Sequence, residues 1–529
     1  DGTSWGAQPT NRLEDSRGGW PSIIALGNGT EASITHNTQN SYINNAYRPT
    51  IGTGSWINNQ ITNNYLIWNR SASGGLDGNT IHMVGLTEPA GGTWTGTLFN
   101  GLSGALLYYR SQDGGDSWDI IDMQLPGMDT SMTLGMNGDV YSIAAQGETV
   151  VVAYFDDWGD SYIVKSTDNG DTWTKTTFLN FPVDKYVMDD GLDLDNDDTL
   201  DYVYSTDNNG ALILDANGNA HIFYGIMMYR DDNLTDESFS YYPTTNGIAY
   251  WNESFGEDTT PATMHQGDTS LWYSDMMNDH LVIAAPDLNG DCSVGGVDTI
   301  GGYANYANGY ASMPNAGISI NGDIYVSFSG YTETADNGSQ VYRHIYIVKS
   351  QDGGQTWSNP IDVTPHDMWD GMQECVFGSM SPLVNDKLRI IYQLDFEPGL
   401  AVRGDEDPVD FNEIIYLEID TAQAWDYCVY GCTDAAAGNY NPNAECDDGC
   451  CDNSIPSAIN DEFSDISIYP NPVKGILTID GDYFSATIYD LFGKLLLTTD
   501  YQKTIDVETL SNGVYFIKTD NRITKFIKQ

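Results

Sequence analysis

The chain has 529 residues, of which 40% are hydrophobic and 12% aromatic, so it is a folded protein too long for one ordinary domain. Its 75 acidic residues against 21 basic residues give a net charge of −54, which excludes nucleic acid as a natural partner and favours cations such as calcium. The alternative explanation of the charge is solubility in salty water, where counterions screen it within about 8 Å. The sequence contains no apolar run of about 18 residues or more, so it predicts no membrane-spanning helix.

The N-terminal segment, residues 1–17, begins at Asp1 with neither a methionine nor an apolar leader. Such a start is expected of a mature exported protein whose signal peptide has been removed. The sequence therefore predicts a secreted protein or one displayed on the outer cell surface.

Short β-type runs separated by turn residues fill residues 18–420. The clearest unit, residues 140–175, contains four predicted strands: VYSIAA, TVVVAYF, SYIVKS and TWTK. Residues 318–357 repeat this layout with a longer insertion. Four antiparallel strands per unit at a roughly regular period are typical of β-propeller blades. Counting units predicts six blades, with seven as the alternative.

An octet of the form Ser-x-Asp-x-Gly-x-Ser/Thr-Trp occurs three times, each time directly after a predicted strand. In a hairpin turn the Asp accepts backbone N–H bonds, the Gly permits a positive φ, and the Ser or Thr hydroxyl ties the hairpin together. The Trp offers a large area for burial between neighbouring sheets. We therefore expect structural roles for Ser111, Asp113, Gly115, Trp118, Ser166, Asp168, Gly170, Trp173, Ser350, Asp352, Gly354 and Trp357.

The octets are similar to Asp boxes, so residues 18–420 resemble the sialidase-like (BNR repeat) propeller superfamily. In that family the boxes lie on the rim away from the substrate funnel. Sialidase chemistry needs three arginines that clamp a carboxylate, a tyrosine activated by a glutamate, and an aspartate acid/base. The family's Arg-Ile-Pro motif has no counterpart here, and only nine arginines precede residue 420. We therefore assign no catalytic residue, and the negative charge also disfavours an anionic sugar.

Two acidic loops within the propeller region are candidate calcium sites. DLDNDDTLD has the carboxylate spacing D-x-D-x-D-x-x-x-D, and DLNGDCSVGGVD offers oxygen ligands at positions 1, 3, 5, 7 and 12 of an EF-hand-like loop. Asp198 and Cys292 stand where such loops usually have glycine, and the alternative is an acidic loop that only contacts solvent. The candidate calcium ligands are Asp193, Asp195, Asp197 and Asp201 in the first loop, and Asp287, Asn289, Asp291, Ser293 and Asp298 in the second.

Residues 421–451 form a predicted Cys-rich module that holds five of the seven cysteines and no histidine. In an exported protein this composition favours disulfides over zinc. The stretch CVYGCTDAAAGNYNPNAECDDGCC resembles a short extracellular module that occurs beside secretion domains. The pairing stays open among Cys428, Cys432, Cys446, Cys450 and Cys451. The polar residues 452–463 are a predicted linker.

Residues 464–529 contain IYPNPVKGILTI, ATIYDLFGKLLL, LSNGVYFIKTD and a terminal KFIKQ. These alternating apolar strands, broken by Pro-Asn-Pro, Phe-Gly-Lys and Asn-Gly turns, predict a small Ig-like β-sandwich. Their order and spacing resemble the type A C-terminal sorting domain of type IX secretion cargo, which implies partners in the translocon, the shuttle and the sortase. Seven basic and ten acidic residues follow residue 460, a net of −3, so the preceding residues carry −51 of the total −54.

The sequence thus predicts an all-β protein with a six- or seven-bladed sialidase-like propeller, a Cys-rich module and an Ig-like β-sandwich. The predicted function is a non-enzymatic, calcium-stabilised module for binding, adhesion or surface structure, with a glycan or surface component as partner. The alternatives are a glycan-active glycoside hydrolase on the same scaffold and a subunit of an extracellular assembly. Converging arginines or a close carboxylate pair would favour the enzyme, whereas an aromatic or shallow polar groove would favour the binder.

Overall fold

The structure is a computed structural model that divides into two compact units, Asp1–Gly431 with Asn443–Cys450, and Cys432–Pro442 with Cys451–Gln529. It describes residues 11–14, 17–37, 42–62, 66–194, 199–243, 247–259, 263–264, 281–284, 304, 306–365, 373–401, 407–409, 411–428, 430–431, 433–435, 437, 444, 446–447, 467–480, 485–489, 494–500, 502–519 and 522–529. The all-β class is confirmed: strands dominate both units, and the helical turn in the described part is a 3-10 helix at Glu253–Phe255.

Six sheets follow one another along the described part of the first unit. The first consists of β1 (Gly18–Ala25), β2 (Glu31–Asn37), β3 (Tyr42–Arg48) and β4 (Ile57–Thr62). The second consists of β5 (Leu66–Gly74), β6 (Thr80–Thr87), β9 (Leu106–Ser111) and β10 (Ile120–Gln124), with a hairpin of β7 (Ala90–Gly91) and β8 (Trp94–Thr95) inserted before β9. The third consists of β11 (Tyr141–Gln146), β12 (Thr149–Tyr154), β13 (Ser161–Ser166) and β14 (Thr174–Leu179).

The last three sheets are less regular. The fourth contains β15 (Tyr202–Leu214), β16 (Ala220–Arg230), β17 (Ser240–Tyr242), β18 (Ile248–Asn252), β19 (Thr263–Met264) and β20 (Leu281–Ala284). The fifth contains β21 (Ala311–Ser319), β22 (Ile324–Asp336), β23 (Val341–Ser350), β24 (Ile361–Asp362) and β26 (Leu383–Val384), the last of which pairs with β21 in parallel. The sixth contains β25 (Glu374–Met380), β27 (Lys387–Asp395) and β28 (Glu413–Asp420).

The first strand of each sheet packs beside the first strand of the next sheet. These neighbouring pairs are β1 with β5, β5 with β11, β11 with β15, β15 with β21, and β21 with β25. The first strands therefore lie innermost, and the sheets follow one another like the blades of a β-propeller.

The core lies between successive sheets, and the third sheet shows how one strand serves two interfaces. Successive side chains of a strand point to opposite faces of its sheet. On β12, Val152 and Tyr154 pack between the second and third sheets, whereas Val151 and Ala153 pack between the third and fourth. All four side chains are buried, and each large one contributes roughly 1.5–3 kcal/mol. The strands predicted for residues 140–175 are present as β11 to β14, although the last begins at Thr174.

In the Cys-rich stretch, a disulfide joins Cys428 and Cys446 with a Cα–Cα distance of 5.9 Å. The same stretch contains the short parallel pair of β29 (Tyr430–Gly431) and β30 (Cys446–Asp447). Cys432, Cys450 and Cys451 lie outside the described residues. Cys375 is a buried free thiol in the core between the fifth and sixth sheets.

The second unit contains two antiparallel sheets that share one hydrophobic core, with Leu477, Ile488 and Phe526 fully buried. The first sheet has the order β31 (Ser467–Tyr469), β32 (Ile476–Asp480), β35 (Thr504–Asp506). The second has the order β34 (Leu495–Asp500), β33 (Ser485–Tyr489), β36 (Gly513–Thr519), β37 (Arg522–Lys528). Among the residues described in either unit, no helix is long and apolar enough to cross a membrane.

Candidate functional site

The three octets form the same hydrogen-bonded turn between the third and fourth strands of their sheets. In the copy that follows β13, the Ser166 hydroxyl donates to Asp168 at 2.7 Å and accepts from the Gly170 N–H at 2.8 Å. The Thr172 N–H and hydroxyl donate to the two oxygens of Asp168 at 2.8 and 2.6 Å. The copies that begin at Ser111 and Ser350 make the same four bonds.

The tryptophans that end the octets pack against the preceding sheet. The ring centroid of Trp173 lies 4.9 Å from that of Tyr108, and the ring centroid of Trp357 lies 5.2 Å from that of Tyr250. Trp118 packs on the buried cluster shared by the first and second sheets. The side chains of the octets are thus occupied by bonds within the turn and by packing between sheets, which leaves them no evident chemistry.

Only two of the candidate calcium ligands lie among the described residues. In the first loop, Asp193 and Asp201 are described, and the Asp201 carboxylate accepts a hydrogen bond from the Leu194 N–H at 2.7 Å. Asp195 and Asp197 lie outside the described residues, as do all five candidates of the second loop: Asp287, Asn289, Asp291, Ser293 and Asp298. In the part of the chain that is described, no group of three or more His, Cys, Asp or Glu side chains is arranged to hold a metal ion.

The opposite end of the sheets, here called the loop end, is built differently from the octet end. It contains the connections between second and third strands, such as residues 155–160, and the starts of the first strands. Each of the six sheets has a non-glycine residue with a positive φ within its first strand or just before it, and five of these first strands are irregular there. The six residues are Trp20, Trp68, Asp139, Asn208, Met313 and Phe377. Bulges of this kind redirect side chains and are common beside functional sites.

A cavity of about 330 Å³ opens at the loop end of the third sheet. Its walls come from the connection between the second and third sheets, the turn at residues 155–160, the connection that follows β14, and Phe239 before β17. The lining combines aromatic rings, which include Trp158 and Tyr186, with the carboxyl groups of Asp156, Asp157 and Asp160. A pocket of this size with a few polar groups among aromatic walls is typical of small-molecule sites.

Four aspartates and Lys185 line the cavity, and the surroundings of Asp156, Asp157 and Asp160 differ. Burial, together with the charge of the adjacent Asp157, raises the pKa of Asp156 to about 7. Burial also raises the pKa of Asp157. Asp160, in contrast, accepts a hydrogen bond from the Phe181 N–H at 3.0 Å and pairs with Lys175 at 3.4 Å. Asp156 is therefore a carboxyl group that can exchange a proton near neutral pH, whereas Asp160 holds the following segment in place.

Trp158 organises the aromatic wall of the cavity. Its ring stacks on Tyr186 at 5.0 Å, and Phe239 lies 5.3 Å away on a separate connection. The hydroxyl of Tyr186 donates to Asp231, which fixes the tyrosine ring from the other side. The indole N–H of Trp158 is buried and has no hydrogen-bond partner in the described part of the chain.

Five of the described arginines are engaged in separate contacts within the protein and do not converge on one site. Arg343 is buried between two tyrosine rings, with its guanidinium carbon 4.9 Å from the Tyr306 centroid and 4.1 Å from the Tyr331 centroid. Four further arginines pair with the protein's own acids: Arg48 with Glu31, Arg70 with Asp139, Arg110 with Asp119 and Asp171, and Arg389 with Glu418. These contacts disfavour a sialidase-type arginine triad built from these residues.

Sequence reasoning did not select Asp156, Asp157 or Trp158. The available signal was the segment FDDWGD at residues 155–160, a polar turn with an aromatic residue between two predicted strands. What the sequence did not show is that this turn meets Tyr186 and Phe239, because those residues come from other connections.

No curated protein matches this chain in sequence. Among solved structures, it is similar to the α-L-arabinanase of Penicillium chrysogenum, with 12% identity over 76% of this chain and 93% of that chain and a TM-score of 0.36. It is also similar to a PL25 ulvan lyase, with 11% identity over 72% and 82% of the two chains and a TM-score of 0.38. A variant of the NanB sialidase from Streptococcus pneumoniae shows 11% identity over 73% and 66%, with a TM-score of 0.36. Likeness at this level carries no argument about activity.

The second unit has a specific match. Residues 467–529, which include both of its described sheets, match the model of the Secretion system C-terminal sorting domain. The prediction from the four tail motifs is confirmed. The chain therefore carries a type IX secretion sorting domain and is a secreted or cell-surface protein.

Proposed function

We propose that the first unit is a six-bladed β-propeller that binds a neutral carbohydrate in the cavity at the loop end of its third sheet. The observation that carries this proposal is the composition of that cavity, in which Asp156 and Asp157 face a wall of Trp158, Tyr186 and Phe239. Aromatic rings stack on the apolar faces of sugars, and carboxyl groups accept bonds from their hydroxyls. A protonated Asp156 would also donate one, because its pKa is about 7.

The charge of the chain favours a neutral ligand over an acidic one. The residues before the sorting domain carry nearly all of the net charge of −54, and an anionic sugar would be repelled by that field. Four of the described arginines already pair with acids of the protein and are not free to offset it. As type IX cargo, the protein would meet such glycans outside the cell, where the sorting domain would engage the translocon, the shuttle and the sortase.

Binding of neutral glycans is tested on a panel of immobilised polysaccharides with the full chain and two variants. Asp156→Asn removes one ionisable group of the cavity, and we expect it to weaken binding at least about tenfold. Asp116→Asn is the matched control, because Asp116 is an exposed aspartate in an octet turn at the other end of a sheet. Equal binding by both variants, or no binding by the wild type, would contradict the proposal.

Calcium remains part of the proposal as a stabiliser of the loops at residues 193–201 and 287–298, since both carry oxygen ligands at suitable spacing. We expect calcium to raise the thermal unfolding temperature and EDTA to lower it. Replacing Asp193 by Asn should reduce that difference, whereas Asp116→Asn should leave it unchanged. If calcium and EDTA leave the unfolding temperature unchanged, calcium is not a stabiliser of this protein.

The pKa of Asp156 favours a second candidate function, hydrolysis of a glycosidic bond. A carboxyl group with a pKa of about 7 can donate its proton to the leaving oxygen while a second carboxylate accepts a proton from the attacking water. No residue is assigned to the second role, because burial raises the pKa of the neighbouring Asp157 and so favours its protonated form. Release of reducing sugar ends by the wild type and not by Asp156→Asn would support hydrolysis. Binding without release would leave the protein a binder.

A further inference from the structure

Three tryptophans from separate parts of the sequence meet at the loop end of the first two sheets. Trp20 lies near the start of β1, Trp68 near the start of β5, and Trp94 in the inserted β7–β8 hairpin. The ring centroids of Trp20 and Trp68 are 6.2 Å apart, and those of Trp68 and Trp94 are 5.4 Å apart, both edge to face. Trp20 is 39% exposed and Trp94 44% exposed, so this cluster, here called the tryptophan ledge, presents aromatic surface to solvent.

The backbone of the ledge is strained. Trp20 has a φ of +50° and Trp68 a φ of +52°, and each lies at a bulge of its strand. A bulky residue in this conformation is an outlier, and glycine would adopt it without strain. Burial does not explain tryptophan at residue 20, because more than a third of that side chain is in solvent. The other four sheets have a positive φ at the equivalent place, so this conformation belongs to the fold and the exposed ring still needs a reason of its own.

Several contacts fix the rings of the ledge in place. The backbone N–H of Trp68 donates to Nδ1 of His36 at 3.0 Å, and the backbone carbonyl of Trp68 accepts from the hydroxyl of Tyr141. The Trp20 ring stacks on the His36 ring at 5.3 Å, and its indole N–H donates to Asp139. The Trp68 backbone and the Trp20 ring are therefore held before any ligand arrives, which lowers the entropy cost of binding.

The polar edge of the ledge is electrically balanced. Arg70 donates to Asp139 at 2.8 Å, and both side chains are partly exposed. The pair offers hydrogen-bond donors and acceptors without a net charge, so it suits sugar hydroxyls rather than carboxylate or sulfate groups.

The ledge adjoins the cavity through one short segment. Asn137 lines the cavity and donates its N–H to the hydroxyl of Tyr154, whereas Asp139, two residues later, belongs to the ledge. Two residues of extended chain span at most about 7 Å. We infer that the ledge is a second subsite, so that the ligand is a neutral oligosaccharide or polysaccharide whose chain lies across both the ledge and the cavity. This inference rests on the proposed carbohydrate binding and specifies the length and charge of the ligand.

The inference is tested with cello-, xylo- and malto-oligosaccharides of one to six units, by titration calorimetry on the full chain. We expect the wild type to bind longer chains more tightly, and Trp20→Ala or Trp94→Ala to lose about tenfold in affinity for the longest chains but little for the shortest. Trp56→Ala is the matched control, since Trp56 is a partly exposed tryptophan stacked on Arg48 at 4.7 Å in the turn between the third and fourth strands of the first sheet. Unfolding temperatures of all variants are measured alongside, so that loss of fold is recognised.

The outcomes separate the two proposals. If Asp156→Asn weakens binding while Trp20→Ala and Trp94→Ala keep the full dependence on chain length, the ledge is not a subsite and the proposed function stands. If the wild type binds none of these sugars and none of the neutral polysaccharides, the proposed function falls and this inference falls with it. Equal losses in Trp56→Ala would also overturn the role of the ledge.

Discussion

The two ends of the same sheets use aspartate in opposite ways. At the octet end, hydrogen bonds from Thr172 and Ser166 lower the pKa of Asp168 to about 2. At the loop end, some 17 Å away along β13, burial raises the pKa of Asp156 to about 7. The first carboxylate is exposed and accepts several bonds from its own turn, whereas the second accepts the Trp158 N–H at 3.0 Å but is buried beside Asp157. In the third sheet, the carboxyl group that stabilises a turn and the one proposed to meet a ligand thus lie at opposite ends of the strands.

The largest difference between the ends should come from the glycine at the fifth octet position. In Gly354→Ala the new Cβ would lie 2.1 Å from the hydroxyl oxygen of Tyr250 and 2.4 Å from Cζ of that ring. We expect a loss of about 3–5 kcal/mol in the free energy of unfolding. Gly353→Ala is the control in the same turn, since its φ is also positive but nothing lies within 4 Å. It should cost only about 1–2 kcal/mol in denaturant titrations. Equal losses in the two variants would show that residue 354 needs glycine only for its positive φ and not to make room for Tyr250.

The second prediction concerns the pH dependence of stability at the loop end. The pKa of Asp156 is about 7 in the folded protein and about 3.9 when unfolded, so the folded state holds this proton more tightly and loses stability as the pH rises from about 4 to 7. Asp156→Asn should therefore unfold about 2–4 kcal/mol less readily than the wild type at pH 8 and equally at pH 4. Denaturant titrations at several pH values measure this gap. A variant less stable than the wild type at pH 8 would mean that the carboxylate serves the fold.

The third prediction compares tryptophans at the two ends. Trp173 packs on the ring of Tyr108 and on the core between the second and third sheets, so Trp173→Ala should cost about 2–3 kcal/mol. Trp20→Ala should cost less than about 1 kcal/mol, because 39% of the Trp20 side chain is already exposed to solvent. Thermal unfolding measured on both variants decides the matter. A larger loss for Trp20 would identify it as part of the core.

The smallest effect should come from an octet aspartate. Burial opposes ionisation of Asp352, but hydrogen bonds from Thr356, Ser350 and Gln355 outweigh it and lower its pKa. Asp352→Asn should cost about 1 kcal/mol at pH 7, a value kept low by exposure to solvent. Because the folded-state pKa is lowered, the cost should shrink as the pH falls below about 4. A constant cost down to pH 2 would show that charge is not involved.

Features that a short stretch encodes were predictable from the sequence. The octets and the four tail motifs each complete their bonds within a few residues or along one hairpin, so pattern and spacing were sufficient. The ledge could not be predicted in the same way, because its contact between Trp20 and Asp139 spans 119 residues and depends on strand bulges. The same holds for Tyr186 and Phe239 in the cavity, which approach Trp158 only once two connections have folded.

The acidic loops show another limit of pattern reading. The spacing of carboxylates in DLDNDDTLD predicted a cage for a cation. In the described part of that loop, the Asp201 carboxylate accepts the N–H of Leu194, a bond that an ordinary turn can use without any ion. Because Asp195 and Asp197 lie outside the described residues, calcium binding by this loop stays a prediction.

The way in which neighbouring sheets pack has a consequence for how such sheets can be duplicated. On β9, Tyr108 contacts the octet of the third sheet, and the octet that begins three residues later sends Trp118 back toward the first sheet. A segment of eleven residues, 108–118, therefore supplies both the contact to the following sheet and the contact to the preceding sheet. A duplicated or inserted copy of such a sheet would therefore carry the residues that contact the sheet before it and the sheet after it.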